Sequence, residues 1–299
     1  MNYLVTGASG FVGRNLFNAF ENHKWVNLVA WDRSKDFCSQ IIAKEGIIHL
    51  AGKAHDLKKV SDPEDYYLVN TELTKTCFDA FLKSSASIFI YFSSVKASAD
   101  EVSGILLESD VPNPKTHYGK SKLMAEEYIL SKKIPESKRV YILRPCMIHG
   151  PGNKGNLNLL FKWVQSGYPW PLGAFNNLRS FCSIENVSYV VNELLTRSDI
   201  PSGVYNLADD QPCSTNYIIE LMEKALSKKI LSFKIPQVCV YLIAKAGDIL
   251  NLPINSDRLK KLSESYVISN NKLINKLGKN LPLSVDEGLK NTISNLILK

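Results

Sequence analysis

An α/β fold organised around a doubly wound parallel sheet is the prediction of this sequence, and three observations carry it. Apolar β-type runs alternate with helix-like stretches through the first half of the chain, the first run ends in spaced glycines, and a tyrosine and a lysine stand four residues apart on a later helix-like stretch. Such alternation predicts parallel strands with helices on both faces. Strands are expected near 2–6, 26–31, 46–50, 87–92 and 139–144, and helices near 11–22, 64–83 and 117–132. Strand-like Val204-Tyr205-Asn206-Leu207 is followed by Ser214-Thr215-Asn216, a helix-start signal. The tail from Asp286 to Leu298 reads as a closing amphipathic helix. The sheet domain is expected over 1–150, with 151–299 forming mainly a smaller lobe and some segments returning to the core.

The glycine turn is informative about chemistry. Tyr3-Leu4-Val5-Thr6 runs into Gly7, Gly10 and Gly13, which enclose Phe11 and Val12, and Arg14 onward reads as helix. Glycines let the backbone turn tightly and approach a pyrophosphate, which sits on the amides of the helix N-terminus. This predicts a Rossmann-type sheet that binds a dinucleotide. A second apolar run, Val26 to Trp31, ends in Asp32, about 20 residues past the glycines. That is the place of a carboxylate on a ribose 2′-hydroxyl, which favours NAD. Arg33 beside it suits a 2′-phosphate and keeps NADP open.

Tyr118-Gly119-Lys120-Ser121-Lys122 follows about 105 residues beyond the glycines. Tyr118 and Lys122 share one helix face. An ammonium beside a phenol favours the phenolate and lowers its pKa from about 10. The phenol then becomes a usable general acid/base near neutral pH.

Composition limits the alternatives. The 299 residues, 45% hydrophobic, suit one large α/β domain with a smaller lobe. No apolar run is long enough to cross a membrane, so no span is expected, and because Met1 leads straight into strand and glycine loop no signal peptide is expected either. The six cysteines have no CxxC spacing and read as reduced, mostly buried thiols of a cytoplasmic protein. The five histidines form no metal-ligand pattern, and His49 reads as a core or loop residue. The net charge of +7 suits a solvated surface, an anionic substrate such as a diphosphate sugar, or an anionic membrane surface. Dispersed lysines without interleaved aromatics argue against nucleic acid.

Together these segments resemble the extended short-chain dehydrogenase/reductases of the NAD-dependent nucleotide-sugar epimerase/dehydratase family, over essentially the whole chain. The matching segments are TGASGFVG (6–13), HLAGKAH (49–55), YYLVNTELT (66–74), YFSSVKA (91–97), YGKSK (118–122), LRPCMIHGPG (143–152) and LRSFCSIENV (178–187). YFSSVKA and PWPLGAFNNLRSF (169–181) resemble a bacterial surface-polysaccharide branch of reductases and 4-epimerases. Only about 14 residues separate Asp32 from Gly46, where relatives usually carry another strand and helix, so the adenine pocket is expected to be open.

The resemblance implies roles. Lys122 would bind the nicotinamide ribose, and Tyr118 would exchange a proton with the sugar. Ser93 and Ser94 are candidates for a hydrogen bond to the same oxygen; Ser94 is preferred, although many relatives carry the hydroxyl one position later, where this chain has Val95. Lys96 is placed either to reach substrate or to be solvated. Leu50, Ala51 and Gly52 would pass the adenosine and pyrophosphate, Lys53 would reach the cofactor, and Asn70 would brace the strand ends. Pro145, Met147 and Ile148 would lie against the nicotinamide, with Pro145 alternatively a strand-ending kink. Asn156, Asn158 and Leu159 match positions that hold a diphosphate, and Leu172-Gly173 matches the segment running past the base. Arg179 and Arg258 are the cations expected on the pyrophosphate. Arg258 reads equally as part of the charged helix face Asp257 to Lys261.

The expected activity is reduction of a UDP-4-keto-6-deoxy-N-acetylhexosamine. The alternatives are a UDP-hexose 4-epimerase or a 4-epimerase of a polyprenyl-diphosphate-linked sugar. A 4,6-dehydratase normally needs an Asp-Glu pair after the strand-end serine, and Ser94-Val95-Lys96 offers neither acid. Non-catalytic scaffolds of the superfamily typically lose the Tyr/Lys pair that this chain keeps. A homodimer is open. The apolar run Val238 to Ala244 reads as a core helix before it reads as a membrane contact.

Overall fold

A computed structural model describes residues 1–53, 62–153, 155–249 and 256–298. β1 (Asn2–Thr6) runs through the glycine turn into α1 (Phe11–Phe20). β2 (Asn27–Ala30) is followed by one short helix, α2 (Phe37–Ile41), and then β3 (Gly46–His49). α3 (Pro63–Tyr66) begins with Asp62 as its cap, and α4 (Leu73–Lys83) continues it across a π-helical segment at Tyr67–Glu72. β4 (Ile88–Phe92) ends in a 3₁₀ turn at Val95–Ala97, which leads past β5 (Ile105–Leu106) to α5 (His117–Ser131). β6 (Arg139–Pro145), β7 (Met147–His149), α6 (Asn156–Ser166), β8 (Phe181–Ser183) and α7 (Ile184–Thr196) come next. The remainder is β9 (Gly203–Leu207), α8 (Thr215–Ala225), α9 (Gln237–Ile249), α10 (Ser256–Ser263), β10 (Val267–Ile268), α11 (Asn271–Leu277) and α12 (Val285–Ile297).

Six parallel strands form the main sheet in the order β2-β1-β3-β4-β6-β9. All five residues of β4 are buried, as a central parallel strand covered on both faces requires. The two-residue period of the strands divides the core. Tyr3, Val5 and Ile48 pack with α1, α7 and α11 on one face, while Leu4, Ile47 and Phe89 pack with α2, α4 and α5 on the other. A third apolar cluster joins α6, α8 and α12 in the C-terminal part. The six strands of the main sheet lie within two residues of their expected positions, while β5, β7, β8 and β10 were not anticipated.

Three features matter. The helix expected over 64–83 contains the π segment, which holds Asn70. β2 is the sheet's edge strand, and α2 alone fills the interval before β3. The run Val238 to Ala244 is helical, but Val240 and Ala244 are buried while Val238, Cys239, Tyr241, Leu242 and Ile243 are exposed. The expectation of a core helix is therefore corrected: the apolar side chains circle the helix, and only one narrow stripe faces the protein. Cys77, Cys182 and Cys213 are buried, Cys38 and Cys239 exposed, and Cys146 intermediate; all are free thiols. Among the described residues no helix is long and apolar enough to cross a membrane.

Candidate active site

The glycine turn is shaped by close approaches. Gly7 has a φ of +71°, and a Cβ there would lie 2.7 Å from the Ala51 nitrogen. A Cβ on Gly13 would lie 2.5 Å from the Gly7 carbonyl oxygen. α1 starts at Gly10 with no side chain accepting from its first amides, so those donors suit a pyrophosphate. Phe11, Val12, Leu50 and Ile148 are half-buried apolar groups packed on the sheet core beside this turn. The residues present thus fit a dinucleotide.

Behind the turn, Thr6 Oγ1 accepts from the Ala51 amide at 3.1 Å and lies 2.7 Å from His49 Nδ1. His49 Nε2 is 2.9 Å from Thr74 Oγ1, which donates to the Asn70 carbonyl at 2.7 Å. With Thr74 donating onward, His49 must donate from Nε2 and accept from Thr6, as a neutral imidazole does. Burial pushes His49 down to about 3, and Lys122 adds to the effect, so it stays neutral. This chain links the glycine turn to the π segment. There Asn70 Oδ1 accepts from the Lys53 amide at 2.7 Å, and Nδ2 donates to Ser121 Oγ at 3.0 Å. Lys53 Nζ pairs with Asp65 at 2.5 Å.

The Tyr118 phenol is delivered by α5, whose start is fixed by Asp100. Asp100 Oδ2 accepts from the Lys115 and Thr116 amides at 2.5 and 3.0 Å, and Oδ1 accepts from Thr116 Oγ1 at 2.9 Å. Burial opposes ionisation of Asp100, but these hydrogen bonds hold its carboxyl below the usual range. Thr116 Oγ1 in turn caps the Gly119 amide at 3.1 Å. A Cβ on Gly119 would lie 2.4 Å from the Lys96 carbonyl oxygen and 2.8 Å from Pro114 Cβ. Glycine therefore allows α5 to press against the turn at 95–97, which brings Tyr118 into a hydrogen bond with Ser94.

The two serines separate clearly. Ser94 meets Tyr118 and accepts from the Lys96 amide at 3.2 Å. Ser93 instead donates to Glu126, whose carboxylate also receives Arg144 Nε at 3.0 Å and Nη2 at 2.5 Å. Both members of this ion pair are almost fully buried. Lys122, next to it, donates from Nζ to the Phe92 carbonyl at 2.9 Å and lies 4.9 Å above the Tyr91 ring. Burial pushes the Lys122 ammonium down to about 8, with Glu126 acting against that. A Cβ on Gly52 would lie 3.1 Å from Lys122 Nζ, so the ammonium sits against the passage lined by Leu50, Ala51 and Gly52.

Burial raises the Tyr118 pKa, Ser94 pulls it back by hydrogen bonding, and Tyr66 raises it further. Lys122, one helical turn along, directs its Nζ to the Phe92 carbonyl. Tyr66 packs edge-on to Tyr118, with ring centroids 6.2 Å apart, and no sequence motif marked it.

At the adenine end, Asp32 Oδ1 accepts from Ser34 N and Oγ at 3.0 and 2.6 Å, and Oδ2 lies 3.3 Å from Lys35 Nζ. The Ser34 hydrogen bonds first, and Lys35 after them, hold the Asp32 carboxyl below its usual range. Gln40 clamps the Asp32 backbone by accepting from its amide and donating to its carbonyl, both at 2.9 Å. Arg33 lies over the Trp31 ring at 5.8 Å.

On the opposite side of the strand ends, Pro145 closes β6 against Leu207, and Met147 and Ile148 begin β7, paired with β8. Asn156 opens α6, and Asn158 Nδ2 donates to the Asn153 carbonyl at 2.6 Å while its Oδ1 is buried without a partner. Leu159 is exposed, whereas Leu172 is buried in the lobe core, so only its backbone and that of Gly173 can meet a base. Arg179 bridges in backbone to Cys213 and Tyr266. Lys96 Nζ donates to the Asp100 carbonyl at 2.6 Å and lies 4.2 Å above the Tyr266 ring. Burial lowers Lys96, with Arg179 adding to the effect and Asp100, Glu264 and Glu101 opposing it. The Tyr266 hydroxyl donates to the Val95 and Ala99 carbonyls at 3.2 and 2.6 Å, tying the lobe to the serine turn. Its β-type run, Tyr266-Val267-Ile268, was the available signal. Arg258 belongs to α10, and its side chain lies outside the described residues.

Known proteins resemble this chain over half to all of its length. An N-acetylglucosaminyl-diphospho-undecaprenol 4-epimerase of Escherichia coli O157:H7 is 27% identical over 98% of this chain and 94% of the relative. A UDP-2-acetamido-2,6-β-L-arabino-hexul-4-ose reductase of Pseudomonas aeruginosa is 30% identical over 53% of this chain and 38% of the relative. The structure of a UDP-glucuronic acid 4-epimerase from Bacillus cereus in complex with NAD matches with a TM-score of 0.77 at 20% identity, covering 100% of this chain and 99% of that one. The family model for NAD-dependent epimerases/dehydratases matches residues 3–208, where the glycine turn, both serines, Tyr118 and Lys122 all lie, and the chain belongs to that family.

Proposed function

We propose that the chain reduces the 4-ketone of a UDP-linked 6-deoxy-N-acetylhexosamine, with NADH favoured over NADPH because a carboxylate at Asp32 repels a 2′-phosphate. The observation that carries this reading is the Ser94–Tyr118 hydrogen bond, a single buried acid/base position with no second acid after the strand. When bound, the reduced nicotinamide supplies the hydride. Tyr118 donates its phenolic proton to the C4 oxygen as charge develops there, and Ser94 hydrogen-bonds the same oxygen. Lys122 holds the ribose hydroxyls beside Gly52, with Phe92 fixing its ammonium. Pro145, Met147 and Ile148 form the floor of the nicotinamide side. Arg179, Lys96, Asn156 and Asn158 supply the polar contacts on the diphosphate side, Leu159 lies at its rim, and the Leu172-Gly173 backbone passes the base.

A second reading is favoured by the relative that matches nearly the whole chain, a 4-epimerase of a lipid-diphosphate sugar. Tyr118 would then take the C4 hydroxyl proton and return it after the sugar turns over, using the same residues. Incubation with NADH and a UDP-4-keto-6-deoxy-N-acetylhexosamine tests the choice. The reductase reading expects NADH absorbance to fall in step with the ketone. No NADH loss, together with interconversion of a polyprenyl-diphosphate-linked N-acetylglucosamine and its C4 epimer in the presence of NAD⁺, would support the second reading.

A further inference from the structure

The stretch from Lys224 to Gly247 contains five lysines (224, 228, 229, 234 and 245) and no aspartate or glutamate. The acids that flank it are occupied: Glu223 accepts from the Ile230 amide at 2.7 Å, and Asp248 accepts from Ser256 N and Oγ at 2.9 and 2.5 Å. The same stretch carries Leu231, Val238 and Leu242 at 68%, 70% and 62% exposure, with Phe233, Tyr241 and Ile243 about half exposed. Both parts are tied to the 170–175 stretch of the lobe. Trp170 N donates to the Leu231 carbonyl at 2.7 Å, and Phe233 N donates to the Trp170 carbonyl at 2.8 Å. α9 is fixed to the same edge, with Tyr241 against Phe175 at 6.0 Å and Gln237 donating to the Ala174 carbonyl at 3.3 Å. On α9, Val238, Tyr241, Leu242 and Lys245 share one face by their spacing, opposite the buried Val240 and Ala244.

We propose that this face docks on an anionic phospholipid surface, with Leu231, Phe233, Val238 and Leu242 entering the interface and the lysines pairing with headgroups. An apolar helical face with cationic edges is the pattern that binds such surfaces. A second copy of the chain is a poorer occupant. A two-fold contact sets the same patch against itself, so the lysine-rich segments of both copies would be brought together without acids between them. The inference stands apart from which sugar is processed, since none of these side chains belongs to the acid/base or nucleotide positions. It does place the protein where a diphosphate carried by a membrane lipid would be within reach.

Flotation of the full chain with vesicles tests the proposal. Binding is expected to mixed phosphatidylglycerol/phosphatidylcholine vesicles, to be weak on phosphatidylcholine alone, and to weaken as salt rises. Neutralising lysines, as in Lys229→Gln with Lys234→Gln, should weaken binding about five-fold for each charge removed. The Val238→Asp/Leu242→Asp variant should bind at least about ten-fold more weakly while keeping its far-ultraviolet circular dichroism and its cofactor binding. Equal binding to neutral vesicles, or flotation unchanged in the aspartate variant, would overturn the proposal. So would a dimer, seen by analytical ultracentrifugation, that the same variant splits.

Discussion

The reacting end of the dinucleotide groove and its adenine end are built to different tolerances. At the reacting end, Ser93, Ser94, Lys122, Glu126 and Arg144 are buried, and each is held by a partner on another element. Gly119 and Gly52 sit where a Cβ would strike a neighbour. At the adenine end the sheet stops at β2, Asp32 satisfies itself on Ser34 and Lys35, and Arg33 rests on Trp31. Proton transfer depends on geometry within fractions of an ångström, so its groups are fixed from several sides. A binding handle can rearrange when its ligand arrives. The looser end is the one through which a cofactor can leave, and a reductase must exchange its cofactor at every turnover.

The contrast can be broken most severely at the phenol. Tyr118→Phe should lower kcat by about 10²–10⁴-fold while cofactor affinity is kept. Near-normal turnover in rapid-mixing kinetics would remove Tyr118 from the acid/base role. Arg144→Met leaves Glu126 buried and unpaired, and should cost about 3–5 kcal/mol of stability in denaturant titrations. Unchanged stability would mean the pair is not what holds Ser93 and β6 to α5. Gly119→Ala should cost about 1–3 kcal/mol by forcing α5 off the Lys96 carbonyl. Its kcat should fall more than its cofactor KM rises, because Tyr118 moves away from Ser94.

The pH profile probes Lys122. Its ammonium, titrating at about 8 in the folded chain, is present below that pH and lost above it. The kcat/KM for substrate should therefore decline on the alkaline side of about pH 8, and Lys122→Met should abolish that limb while weakening cofactor binding. A flat profile to pH 10 would contradict the cationic role. The smallest effect is expected at the loose end. Asp32→Asn should raise the NADH KM by only about three- to ten-fold, the worth of one exposed hydrogen bond, and narrow the preference over NADPH.

What the sequence revealed follows the range of the interactions. The glycine turn, the strand runs and the Tyr118–Lys122 pair are local patterns with a fixed period, and they are where the sequence placed them. The choice between Ser93 and Ser94 was open because it depends on which serine meets α5 and which meets Glu126, contacts across 24 or more residues of chain. Asp100 stands in no local motif, and it is the anchor of the α5 N-terminus, 16 residues ahead of the Thr116 it holds. Helix spacing alone put Lys122 on the same face as Tyr118, but spacing does not tell that its ammonium donates to the Phe92 carbonyl. The outward face of α9 was hidden for the opposite reason: an apolar run carries no period that separates a core helix from a surface one.

The absorbance spectrum of the purified protein, recorded before and after gel filtration and then with substrate added, tests the central claim most directly. The exchangeable-cofactor account predicts a spectrum free of retained nucleotide and an absolute need for added NADH, consumed one-for-one with ketone. Nucleotide retained through gel filtration, with C4 epimers interconverting and no net NADH consumed, would contradict it.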